Sequence, residues 1–168
     1  MEEILRMQTN LLLIRRAVGW TAEEFGDRIG VTRQTINNIE SGRNKLTKTQ
    51  YIAMRSVLDA EIVQHPEETQ MLKVLLNVLV DNPEHYNESE VNQLLSKANL
   101  MAPSILAGTT SRKEVSKEWM AAVGAIVGAA GVAMLTAPLG VVAGATVGVT
   151  GWLLKTVAGS EKKRKDDK

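Results

Sequence analysis

The chain has 168 residues, with 20 Lys and Arg against 19 Asp and Glu, for a formal net charge of +1. It has no cysteine, which excludes disulfides, thiol catalysis and cysteine-ligated zinc and fits a reducing compartment. His65 and His85 stand in no metal-ligand spacing, so no metal and no cofactor is expected.

The first residues, "MEEILRMQTN", are charged and lack the apolar core of a signal peptide, so the chain is expected to begin in the cytoplasm. "NLLLIRRAVGW" places Leu12, Leu13 and Val18 around Arg15 and Arg16, which suits a helix of about three turns ended by Gly19. Thr21 and Glu24 have the spacing of a capping box and open "AEEFGDRI", with Phe25 and Ile29 on one face. Gly30 breaks that helix. Thr32 then caps "RQTINNIES", which turns Ile36 and Ile39 inward and ends at Gly42. Thr47 caps a fourth helix, "KTQYIAMRSVLDAEI", with apolar Tyr51, Ile52, Met54, Val57 and Leu58.

Pro66 is expected at the first turn of "EETQMLKVLLNVLV", whose Met71, Val74, Leu75, Val78 and Leu79 form one stripe. Asn82-Pro83 stops it. Ser89 is expected to cap "EVNQLLSKANLMA", and Pro103 to interrupt the helical run beyond. A polar connector, "GTTSRKEVSKEW", leads into an apolar block. The tail, 158–168, is a charge run and is expected to be disordered. The domains expected are thus 1–64, a helical dimerisation or linker segment over 65–118, an apolar hairpin over 119–157, and the tail.

A helix ended by glycine, the turn "GVT" and a polar helix with an inward isoleucine pair make helix-turn-helix geometry. The second helix would lie in the major groove of double-stranded DNA. Gln34 and Asn38, four apart, share a face; amide side chains pair with adenine, and Arg33 could pair with guanine. Thr35 could touch a thymine methyl or a phosphate. Thr21, Thr32, Arg43 and Lys45 lie near the helix ends, where phosphates would pass. The other reading of these residues is a polar helical hairpin that only stabilises a protein interface.

Residues 8–62, and "TAEEFGDRIGVTRQTINNIESGR" above all, resemble the Cro/C1-type (XRE) helix-turn-helix family of bacterial and phage regulators. The resemblance implies an all-α, five-helix, lambda-repressor-like domain that dimerises on a palindromic operator. It also implies a structural ion pair between Arg15 and Glu40. Ala22 departs from the family, whose members often carry there a glutamine that contacts phosphate.

Residues 120–154 contain no Asp, Glu, Lys, Arg or His. A single helix of that length would measure about 52 Å, too long for one crossing of a hydrocarbon core of about 30 Å. "APLG" at 137–140 divides the run into two arms. Gly124 and Gly128 in the first arm, and Gly140, Gly144 and Gly148 in the second, repeat at four, as in small-residue helix packing in membranes. Trp119 and Trp152 stand at the outer ends, where aromatic rings favour the lipid interface. Residues 119–157 resemble glycine-zipper two-helix hairpins of bacterial membrane-associated proteins. Basic residues flank both sides, which suits a hairpin with both ends in the cytoplasm. A soluble oligomer core and a β-assembly are the competing readings.

Taken together, these features describe a sequence-specific transcriptional regulator, oligomeric and tethered to the cytoplasmic face of the bacterial inner membrane by its C-terminal hairpin. The rival makes that hairpin a membrane-permeabilising or self-assembling effector, with the DNA-binding domain as its autoregulator. No nucleophile, base and orienting residue cluster in the sequence, so an enzyme is not expected.

Overall fold

Threonine hydroxyls set the starts of three consecutive helices. In the computed structural model, which describes residues 2–136, α1 (Glu2–Val18) is followed by α2 (Ala22–Ile29), α3 (Arg33–Glu40) and α4 (Lys48–Gln64). The side chains of Thr21, Thr32 and Thr47 accept the amides of Glu24, Thr35 and Gln50, each satisfying one of the orphan donors of a first turn. Thr21–Glu24 and Thr47–Gln50 are reciprocal capping boxes. Beyond α4 come α5 (Gln70–Leu76), continued by one π-helical turn over Asn77–Asp81, then a short 3-10 turn at Pro83–His85. The helices α6 (Glu88–Leu106) and α7 (Arg112–Thr136) complete the order, and the described residues contain no strand.

The core is continuous from Met7 to Val123. The first helix is its centre. Its buried stripe is Met7, Leu11, Ile14 and Val18, at helical spacing. It packs on α3 on one side and on α5, the π turn and α6 on others. Polar bridges run along the same contacts. Arg6 Nε donates to the Val80 carbonyl at 2.9 Å, and Arg55 of α4 forks onto Asp81 at 2.8 Å by each of two nitrogens. Arg112, opening α7, reaches Glu61 at 2.6 Å, Glu68 at 2.7 Å and the Val18 carbonyl at 3.3 Å. The α1–α2 corner is closed from behind. Gly19 has φ 82°, and a Cβ there would stand 2.9 Å from Ile105 Cγ2.

Several local expectations change. The first helix starts at Glu2, not Asn10. Glu2 and Glu3 favour its N-terminus, and Met7 extends its buried stripe by a turn. Leu12 faces solvent, whereas Leu11 and Ile14 are buried. Pro66 lies in a turn ahead of α5, whose N-cap position is Thr69. Asn87, not Ser89, caps α6, because Asn87 and Glu90 form a capping box. Pro103 does not interrupt α6. It sits on the exposed face within the last turn, where water can take the carbonyl its ring leaves unpaired. Ser111 and Glu114 close a further reciprocal pair ahead of α7.

Trp119 is not at a periphery: it is 0 % exposed and packs in the core with Val115 and Val123. The helix α7 bends at Gly128, whose φ of 70° and ψ of 178° are non-helical and suit glycine. A Cβ on Gly124 would lie 3.8 Å from Val132 Cγ2. In a straight helix these positions are about 12 Å apart along the axis, so the chain folds back there. Among the described residues no helix is long and apolar enough to cross a membrane. The expected turn at 137–140, Gly140, Gly144, Gly148, Trp152 and the charged tail lie outside the described residues.

Candidate nucleic-acid interface

The second helix and the third meet at a turn with no spare volume. Gly26 is buried within α2, and a Cβ on it would stand 2.5 Å from the Val31 carbonyl oxygen. The Val31 amide donates to the Gly26 carbonyl at 2.9 Å. Gly30, at φ 74°, ends α2 in the left-handed conformation and turns the chain toward Thr32. Phe25, Ile36 and Ile39 fill the space below, all 0 % exposed. The opposite face of α3 is therefore polar and open.

On that face Gln34 Nε2 donates to Asn38 Oδ1 at 3.0 Å, so the two amides are held side by side. Gln34 is exposed and Asn38 half-buried. At the helix start the hydroxyls of Thr32 and Thr35 lie 3.0 Å apart, and Thr32 accepts the Thr35 amide at 3.1 Å. Arg33 is exposed beside them. Thr21 caps α2; its hydroxyl oxygen accepts the Glu24 amide at 3.1 Å, and its own amide donates to Glu24 Oε2 at 2.7 Å. The Thr21 backbone and side-chain bonds hold the Glu24 carboxyl below its usual range. Arg43 and Lys45 are exposed on the loop that leaves α3.

Behind this face Arg15 Nε and Nη2 reach the Glu40 carboxylate at 2.6 and 3.0 Å, and Arg15 Nη1 donates to the Trp20 carbonyl at 2.8 Å. Both side chains are 8 % exposed. The fork ties the end of α3 to α1 and to the start of the α2 turn. Three further features have little signature in the sequence. Arg28 stacks over Trp20 with its guanidinium carbon 4.1 Å from the ring centroid, and Trp20 packs on Phe25. Gly26 reads as a helix weakness until the turn is seen to press on it. Gln8 of α1 donates to the carbonyls of Ile39 and Asn44 at 3.0 and 2.7 Å and accepts the Leu46 amide at 2.9 Å.

The family model described as Helix-turn-helix matches residues 11–63. Residues 11–63, from the second half of α1 into α4, thus match the helix-turn-helix of the Cro/C1 type, a DNA-binding module of transcriptional regulators. No curated protein and no solved structure matches the chain.

Proposed function

We propose that the protein is a sequence-specific regulator of transcription that inserts α3 into the major groove of an operator. Arg33, Gln34, Thr35 and Asn38 read base edges, and Thr21, Thr32, Arg43 and Lys45 contact phosphates. The observation that carries this reading is the bonded Gln34–Asn38 pair, presented outward above the buried Ile36 and Ile39. A paired amide edge is already shaped for one base, and its fixed rotamers reduce the ordering cost of recognition.

In this reading the operator is palindromic and the protein binds it as a homodimer or higher oligomer. Association in this reading runs through residues 65–118. The uncharged run over 120–154 supports a membrane tether on the cytoplasmic face, although the bend at Gly128 takes Gly124 and Gly128 off a common helix face. Tethered heads bind at raised effective concentration, and that avidity would offset a modest affinity of each head. The same run favours a second reading in which residues 119–157 disrupt or assemble at a membrane. Dye release from anionic vesicles by the full chain would support that second reading.

Selection of duplexes from a random pool by the full-length protein tests the first reading. One enriched motif with two-fold symmetry is expected. Equal retention of all duplexes would overturn sequence specificity, and asymmetric enrichment would overturn the symmetric dimer.

A further inference from the structure

The loop between α3 and α4 carries Arg43 and Lys45, and loops seldom hold two cations in fixed places without help. Here the help comes from a distant residue. Gln8, in the second turn of α1, reaches three backbone groups of the loop region at once. Its Nε2 donates to the carbonyls of Ile39 and Asn44, and its Oε1 accepts the Leu46 amide. The side-chain amide spends both donors and its acceptor on main chain, which fills most of its bonding capacity. The loop adds bonds of its own, among them those from the Gly42 amide to the Ile39 carbonyl at 3.1 Å and from the Asn44 amide to the Asn38 carbonyl at 3.0 Å. Lys45 thus lies between two residues whose backbones are both tied to Gln8. Arg43 precedes Asn44, which is fixed through its amide and its carbonyl. The side chain of Leu46, 6 % exposed, anchors the end of the loop in the core.

We infer that Gln8 is a positioning residue for DNA binding, acting through its bonds to Ile39, Asn44 and Leu46 to hold Arg43 and Lys45 where duplex phosphates pass. The inference rests on the proposed DNA-binding mode and deepens it. Gln8 itself touches no nucleic acid in this arrangement. It sets the place of two charges, and so the electrostatic part of affinity rather than the choice of base.

The decisive quantity is the salt dependence of binding to a random-sequence duplex, measured with the full-length protein as wild type, Gln8→Ala, Lys45→Ala and the double variant. Each lost phosphate contact lowers the slope of log K against log salt by about 0.9. Gln8→Ala is expected to lower the slope by about 1 to 2 and to weaken binding about tenfold at low salt. Adding Gln8→Ala to Lys45→Ala should cost less than it does in wild type, because the lysine it places is gone. Gln8→Glu keeps an acceptor for Leu46 but loses both donors, and should fall with the alanine variant. Hydrogen exchange at the Leu46 amide should speed up in Gln8→Ala, while the core amides of Ile14 and Met54 keep their protection. A purely structural role would lower stability but leave the slope of the folded fraction unchanged, and that result would overturn the inference. If the wild-type protein itself shows no salt-dependent binding, the DNA-binding mode fails first and the inference falls with it.

Discussion

Gly26 has no room for a methyl group. The neighbour that a Cβ would strike is a backbone carbonyl 2.5 Å away, and it cannot swing aside as a side-chain tip could. Gly26→Ala gains helix propensity of about 1 kcal/mol yet must part α2 from the turn, so a net loss of about 1–3 kcal/mol is expected in urea unfolding. Arg15 and Glu40 pose the other residue-scale question. Removing Arg15 strands a carboxylate that is 8 % exposed, and Arg15→Ala should cost about 3–5 kcal/mol. An apolar pair, Arg15→Met with Glu40→Leu, should lose much less, because no unpaired charge remains. Equal losses in the single and double variants would show that packing, not charge, dominates there. Two carboxylates should titrate in opposite directions. Glu24 is held below 4.5 by the Thr21 bonds, whereas burial raises Asp81 above 3.8 against the opposing pull of Arg55. The Glu24 contribution to stability is therefore present above pH 4.5 and disappears as pH falls through its lowered folded value. Asp81 works the other way: the folded state holds its proton more tightly, so its contribution declines as pH rises from 3.8 through the raised value. Carboxyl-carbon NMR titration of the full chain checks both directions, and a Glu24 midpoint above 4.5 or an Asp81 midpoint below 3.8 would contradict them.

At the scale of elements, the third helix carries its bonded amide pair and its buried isoleucines on different faces. Gln34→Ala with Asn38→Ala removes the bonded amide pair but leaves the Ile36 and Ile39 anchors, so the helix should persist. Discrimination between the selected operator and a random duplex should drop by about 1–3 kcal/mol per lost base contact, with salt-sensitive non-specific binding kept. Unchanged discrimination would remove these two residues from base reading. The starts of α2, α3 and α4 were legible because caps and capping boxes are short-range patterns written in adjacent letters. The inward stripe of Met71, Val74, Leu75, Val78 and Leu79 was legible for a similar reason, and all five are buried. What escaped depends on partners far along the chain. Nothing near Gln8 announces that it will meet Asn44 and Leu46, and nothing near Arg55 points to Asp81. Trp119 was misplaced because an aromatic beside an apolar run looks alike at a lipid interface and in a core. Its neighbours across α5 and α7 decide the matter. Position within a turn also defeats simple rules: Pro103 stays in α6 because only the last turn and an exposed carbonyl are at stake.

On the scale of the whole molecule, the DNA-binding helices share their core with the helices beyond residue 64. The helix α1 packs on α3 in front and on α5 and α6 behind, so it belongs to both. The bonds from Arg6 to Val80, Arg55 to Asp81 and Arg112 to Glu61 and Val18 all cross residue 64. A chain cut after residue 64 would keep the polar face of α3 but lose the Asp81 partner of a 5 % exposed arginine, Arg55, and uncover the back of α1. Arg55 keeps Asp59 as a partner in that fragment, so the main cost is apolar: each large apolar side chain returned to water costs about 1.5–3 kcal/mol. Those losses rival the total stability of a small domain, about 5–15 kcal/mol. The 1–64 fragment should therefore show weak or non-cooperative urea unfolding by circular dichroism, whereas the full chain unfolds in one transition that includes α1 and α6. A fragment as stable as the full chain would mean that the rear helices merely lean on the reading head. If the prediction holds, whatever pulls on α7 from its C-terminal side acts on the fold that presents α3, since Arg112 and Trp119 bind that helix into the common core.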